Sequence, residues 1–154
     1  MQTLKTGICN RWGLTLLEII VSLFIISIIT AIALPSFTSF GENKLKFEAR
    51  EMASILRYMN DSAISRKETF LMRFDLNGDI VYWQGPDGDK TKKFEELTSV
   101  TLQSRGRVSE GEITFFFTPL GARENLCVHM GSGEKEMAIT LNHLSGRVKI
   151  KYEG

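Results

Sequence analysis

Gly13-Leu14-Thr15-Leu16-Leu17-Glu18 opens an apolar run that continues to Leu34 and meets Pro35. Between Leu14 and Leu34 the only charged side chain is Glu18; the rest are Leu, Ile, Val, Ala and Phe with a few small hydroxyls. At about 1.5 Å of rise per residue a helix over this run is about 31 Å long, the thickness of a bilayer's hydrocarbon core. Lys5 and Arg11 precede it with no acid beside them, a bias that holds the N-terminus in the cytoplasm and sends the rest of the chain outward. The run reads as a single membrane span.

Glu18 is the anomaly in it. A carboxylate in hydrocarbon costs on the order of 2–3 kcal/mol on insertion scales, and such a residue ordinarily faces a partner. Were the chain cut after Gly13, the new amine on Leu14 would lie one helical turn from a Glu18 carboxylate, its own or a neighbour's. The plainer alternative is a glutamate near a helix end that reaches back to the interface.

A basic leader, then Gly13, Thr15, Leu16-Leu17, Glu18 and about twenty apolar residues resembles the type IV prepilin signal. The resemblance implies cleavage after Gly13 by a prepilin peptidase, N-methylation of the new first residue Leu14, and a role for Glu18 in filament assembly. The sequence departs from that pattern at Leu14, where Phe is usual. Two other readings of the N-terminus compete with it. Ala31-Ile32-Ala33 has the form of a secretory cleavage site, and the span also suits an uncleaved anchor.

The sequence has 19 Lys and Arg against 18 Asp and Glu, a formal net charge of +1. With the leader's cations removed the remainder is near neutral, which argues against a protein that coats nucleic acid. Removal of the leader would take Cys9 and leave Cys127 alone, so no internal disulfide is expected and packing must hold the exported part together.

Pro35 is expected to kink the helix rather than end it. Beyond it Leu45, Ala49, Met52, Leu56, Met59 and Ala63 form one apolar stripe at helical spacing. Glu42 with Lys46 and Arg57 with Asp61 stand as i,i+4 pairs on the wet face, and the helix is expected to run from Leu14 to about Ser65. From Thr69 onward the pattern is β. Asn77-Gly78 signals a two-residue hairpin between Thr69–Asp75 and Ile80–Trp83. Gly85 to Gly88 is a turn, Asp89 to Lys93 a charged loop, and Ser104 to Gly111 a polar connection. Leu97–Leu102, Ile113–Phe117, Leu126–Met130, Met137–Leu141 and Arg147–Tyr152 read as further strands. Strands this short and this closely spaced make an antiparallel system whose inner face the amphipathic half of the helix would cover.

Ile113-Thr114-Phe115, Pro119-Leu120-Gly121, Ile139-Thr140-Leu141 and Gly146-Arg147-Val148 resemble the C-terminal pattern of GspH/FimT-type pilins, the minor pseudopilins of type II secretion and minor pilins of type IV pili. The resemblance implies an α+β type IV pilin-like fold, a long kinked N-terminal helix packed on a C-terminal antiparallel β domain. It divides the chain into a leader (1–13), a transmembrane and filament-core helix (14–34), its amphipathic continuation (35–66) and a periplasmic β domain (67–154). The function it implies is that of a structural subunit rather than an enzyme. An inner-membrane precursor would be trimmed by the peptidase and joined to other pilins or pseudopilins through its N-terminal helix.

The remaining chemistry is thin. His129 shares a strand face with Cys127, a spacing that ordinarily means a buried thiol and a surface imidazole, and neither His129 nor His143 stands at metal-ligand spacing. The side-chain oxygens of Asp75, Asn77, Asp79 and of Asp87, Asp89 suit turns better than calcium loops. No metal or other cofactor is expected. Arg147, Lys149 and Lys151 alternate with Val148, Ile150 and Tyr152, placing three cations on one outward strand face. They suit protection of a sheet edge, or contact with a DNA backbone in a minor pilin that takes up DNA. A membrane-anchored periplasmic hydrolase is the remaining rival, and it lacks a catalytic constellation.

Overall fold

A computed structural model describes residues 16–133 and 135–153, with the side chains of 32–42 and of Glu153 outside that description. It comprises one helix, α1 (Leu16–Arg66), and ten strands. The chain separates into two compact units, Met1–Ser39 and Phe40–Gly154, and each is taken by itself.

In the second unit the strands are β1 (Phe70–Asp75), β2 (Ile80–Gly85), β3 (Gly88–Lys93), β4 (Leu97–Leu102), β5 (Gly106–Val108), β6 (Glu112–Thr118), β7 (Gly121–Ala122), β8 (Leu126–Ser132), β9 (Lys135–Leu141) and β10 (Val148–Glu153). They form two five-stranded sheets, ordered β3-β2-β1-β6-β7 and β10-β9-β8-β4-β5. Every pairing is antiparallel. The α+β class expected from the sequence holds.

The helical stripe is the floor of the core. Leu45, Ala49, Met52, Leu56, Met59 and Ala63 are each at most 1% exposed, and Ala53 joins them. Alternation then decides which strand residues meet them: Phe70, Met72 and Phe74 from β1, Ile113, Phe115 and Phe117 from β6, Leu126, Val128 and Met130 from β8. Phe115 and Phe117 meet edge to face with centroids 5.1 Å apart, the arrangement their quadrupoles favour. At roughly 1.5–3 kcal/mol for each large side chain taken from water, this single cluster is the main source of stability. On the wet side Arg57 turns to the Val148 carbonyl at 3.3 Å, rather than being held to the expected Asp61 pairing.

Several turns differ from their sequence reading. The register pairs Asp75 with Ile80, so β1 and β2 are joined by four residues, and the positive φ falls on Asp79 (55°) rather than on the Asn77-Gly78 pair. The Asp75 carboxylate is the reason. Its Oδ1 accepts the N–H groups of Asn77 and Gly78, both at 3.1 Å, replacing a tight hairpin turn with a side-chain-closed one. Asp89–Lys93 is strand rather than loop, paired along β2. β5 lies inside the expected 104–111 connection. Both are edge or near-edge strands with little buried surface, so neither carries the alternation by which a strand is recognised.

Glu48 is the buried acid of α1. Its Oε2 accepts the Glu96 N–H at 3.1 Å and so ties the helix to the segment before β4. Burial holds its carboxyl above the usual carboxylate range, against the opposing pull of the Glu96 N–H and the Lys44 ammonium. Lys44 itself pairs with Glu95, whose carboxyl that hydrogen bond holds low.

Candidate functional site

The first unit contributes the described helical residues 16–31. Eleven large apolar side chains from Leu16 to Ile29 are exposed, among them Leu16 at 76%, Phe24 at 66% and Ile29 at 61%. Successive residues turn by about 100°, so these side chains point in every direction around the axis. Two hydroxyls in this stretch bond back to the helix: Ser27 Oγ donates to the Leu23 carbonyl and Thr30 Oγ1 to the Ile26 carbonyl, each at 2.8 Å. Such back-bonding satisfies a polar group without help from solvent. Glu18 is exposed near the start of the described part of the helix.

Gly13 and Leu14 lie outside the described residues. Pro35 lies in the helix within 32–42, and its side chain is outside them too. Among the described residues no helix is long and apolar enough to cross a membrane; they include only 16–31 of the run with side chains, and the sequence continues it to Leu34.

The basic strand β10 is the edge of its sheet. Lys149 and Lys151 are exposed on it, opposite buried Val148 and half-buried Ile150. Arg147 differs from its expected place: it precedes the strand, and its carbonyl accepts the Asn142 N–H at 3.0 Å as part of the 142–147 turn. Tyr152 is 64% exposed, with the Lys46 ammonium 6.0 Å from its ring, rather than facing the core.

The Cys127–His129 pair is inverted relative to the sequence reading, for His129 is buried and Cys127 half-buried. The imidazole lies on the polar face of its sheet, Nε2 at 3.0 Å from Thr101 Oγ1 and Nδ1 at 3.4 Å from Glu136. Arg107 closes the group, bonding Ser99 Oγ at 2.8 Å and Glu136 at 2.6 Å. Cross-strand neighbours bury the ring, which is invisible in one strand's sequence. Among the described residues no three His, Cys, Asp or Glu side chains stand together as metal ligands.

One structural clasp escaped the sequence reading. Asn60, 1% exposed, accepts the Ala122 N–H at 3.0 Å and lies beneath the Gly121 and Gly146 turns. A polar residue inside an apolar helix stripe was the available signal.

No protein-family model matches the chain, and no curated protein sequence is significantly similar to it. Among solved structures the chain is similar to the type IV minor pilin FimU of Pseudomonas aeruginosa strain PAO1 in two crystal forms. The TM-scores are 0.48 and 0.47 at 15% identity, covering 71% and 69% of this chain and 90% and 91% of that one. An identity of 15% carries no residue role from one chain to the other.

Proposed function

We propose that the chain is a minor pilin or minor pseudopilin of the GspH/FimT kind, a type IV pilin-like subunit of a type IV pilus or a type II secretion pseudopilus. In this reading it is made as an inner-membrane precursor with its β domain in the periplasm. Prepilin peptidase cuts after Gly13, Leu14 is methylated, and the N-terminal helix joins those of other subunits as the chain leaves the bilayer.

The observation that supports this most is the helix at 16–31, apolar all round and carrying one carboxylate, Glu18. A helix of that kind needs lipid or other helices on every side. The core of the β domain is closed by the later half of α1. In the filament Glu18 pairs with the Leu14 amine of an adjacent subunit, which also fixes the axial step between helices. On the edge strand, Lys149 and Lys151 serve to block strand addition.

Two substitutions test the reading in cells that assemble the filament. Gly13→Val should leave only full-length precursor on an immunoblot, since the peptidase must fit that backbone. Glu18→Ala should be inserted and trimmed yet be absent from sheared filaments. Normal trimming of the first, or undiminished incorporation of the second, would overturn it.

A further inference from the structure

Phe40–Gly154 carries equal numbers of basic and acidic side chains, so the unit as a whole has no net pull toward a charged surface. Its charges are unevenly placed. Where α1 stops, the turns at 119–120 and 142–147 meet over Asn60. A Cβ on Gly121 would lie 3.4 Å from Asn60 Oδ1, 3.7 Å from Ile64 Cδ1 and 3.9 Å from the His143 carbonyl oxygen. The turns at 103–105 and 123–125 join them through Asn125 Oδ1, which accepts the His143 N–H at 3.0 Å. Arg105, Arg123 and Arg147 are exposed on these turns, and Arg66 and Lys67 on the helix end. Of the acids there, Glu68 is exposed. Glu124 is half-buried and accepts from the Ser104 N–H at 2.7 Å and hydroxyl at 2.9 Å. The end is therefore basic.

Three large apolar side chains stand in the open among these cations: Leu120 at 95%, Leu144 at 84% and Ile64 at 44%. Both leucines are on turns closed by their own side chains. Leu120 N–H donates to Thr118 Oγ1 at 3.3 Å, and that hydroxyl donates to the Gly121 carbonyl at 2.8 Å. Leu144 N–H and Ser145 N–H both donate to Asn142 Oδ1 at 3.0 Å. An unpaired N–H is the main obstacle to moving a turn out of water, and at both leucines that obstacle is removed. Beside them Arg105 and Arg123 line one cleft of about 280 Å³ with Ser104, Thr114 and Phe116. Two guanidiniums at one cleft suit phosphate oxygens, which they bind through paired N–H donors.

We infer that this end of the β domain docks on an anionic phospholipid surface. Leu120 and Leu144 enter the boundary between headgroups and acyl chains, and Arg105, Arg123 and Arg147 meet lipid phosphates. Charge complementarity selects an anionic occupant. The shape of the apolar part selects a fluid one: leucines projecting from separate turns would each need a pocket in a folded partner, whereas a bilayer closes around them. The two signals act together, since each basic residue near such a surface contributes only about fivefold in affinity. The contact concerns the second unit alone and is independent of filament assembly.

The whole core cluster and every strand lie within Phe40–Gly154, so the test uses a chain beginning at Phe40. It is floated with vesicles of phosphatidylcholine alone or of phosphatidylcholine and phosphatidylglycerol in equal parts. Binding is expected to the mixed vesicles only, and it should weaken as salt rises. Leu120→Ser with Leu144→Ser should lower affinity about tenfold at unchanged charge. Arg105→Gln with Arg123→Gln should lower it about twentyfold. All four side chains are exposed, so the melting transition should not move. In a Cys127→Ser background, an environment-sensitive dye on Leu144→Cys should shift to the blue with mixed vesicles, and one on Ser109→Cys, at the other end of β6, should not. Failure to float with the mixed vesicles, equal flotation with phosphatidylcholine alone, or an unshifted dye at position 144 would each overturn the inference. Indifference to the leucine pair, with equal binding to soluble polyglutamate, would overturn it in favour of an acidic polypeptide.

Discussion

Gly133 and Gly146 share a backbone conformation and differ in what surrounds them, which makes them a matched pair. Their φ angles are 65° and 64°, both left-handed. A Cβ on Gly133 would meet nothing within 4 Å, whereas one on Gly146 would lie 2.7 Å from the Asn60 amide nitrogen. Alanine at either position bears the left-handed penalty of about 1–2 kcal/mol. At Gly146 it must also displace Asn60, whose Oδ1 holds the buried Ala122 N–H at 3.0 Å. Leaving that donor unsatisfied adds about 1–3 kcal/mol. Gly133→Ala should therefore cost about 1–2 kcal/mol and Gly146→Ala about 2–5. For a unit of this size these correspond to roughly 4–8 °C and roughly 8–20 °C of melting temperature. The assay is thermal unfolding followed by circular dichroism on a chain beginning at Phe40, the compact unit that contains the whole core cluster. Asn60→Ala completes a double-mutant cycle: with the amide gone, Gly146→Ala should cost no more than Gly133→Ala. Equal losses at the two glycines in the native background, or strict additivity in the cycle, would refute the role given to Asn60.

Two further substitutions probe the charges of the domain. Glu48→Gln should raise stability near pH 7, by a margin that shrinks as pH falls toward 4 in denaturant titrations. Burial holds the folded carboxyl above its unfolded value, so the folded state binds more protons in that window and loses stability as pH rises through it. A loss of stability independent of pH would contradict this. Lys149→Val with Lys151→Val should convert a monodisperse domain into one that self-associates, seen by light scattering, because the β10 edge loses its guard. In a low-salt gel shift the unsubstituted domain should show no binding to duplex DNA; salt-dependent binding lost on replacing Arg147, Lys149 and Lys151 would instead favour the DNA reading.

What the sequence made legible was periodicity. The six stripe positions from Leu45 to Ala63 could be named in advance because burial on one helix face imposes a spacing, and all six are core. β1 and β6 were legible for the same reason, with a period of two. β3 was not, because an edge strand of Gly88-Asp89-Lys90-Thr91-Lys92-Lys93 buries almost nothing and so has no pattern to show. The burial of His129 was hidden because it depends on Thr101 and Glu136 from neighbouring strands. Asn77-Gly78 misled because a local rule was overridden by Asp75, two residues earlier. The clasp at Asn60 lies between these cases, a polar residue on an apolar stripe whose partners are about sixty and more residues away in the chain.

If the N-terminal helix enters a bilayer as proposed, the magnitudes along it bear on the role of Glu18. Eleven large apolar side chains between Leu16 and Ile29 favour insertion by roughly 3–7 kcal/mol together, while a carboxylate deep in the bilayer opposes it by about 3 kcal/mol. On the proposed membrane reading, the helix would tolerate Glu18 and gain nothing from it for membrane retention. Apolar side chains around a whole helix circumference also give neighbouring helices no preferred axial position, since lipid and leucine are equally apolar. On the proposed assembly, one charge paired with one opposite charge of a neighbour would set one. Glu18→Ala should accordingly leave the amount of membrane-retained chain unchanged or higher while abolishing its ordered incorporation. Glu18→Asp, which keeps the charge on a shorter arm, should restore incorporation in part. Loss of membrane retention in Glu18→Ala would contradict the balance, and full incorporation would contradict the pairing.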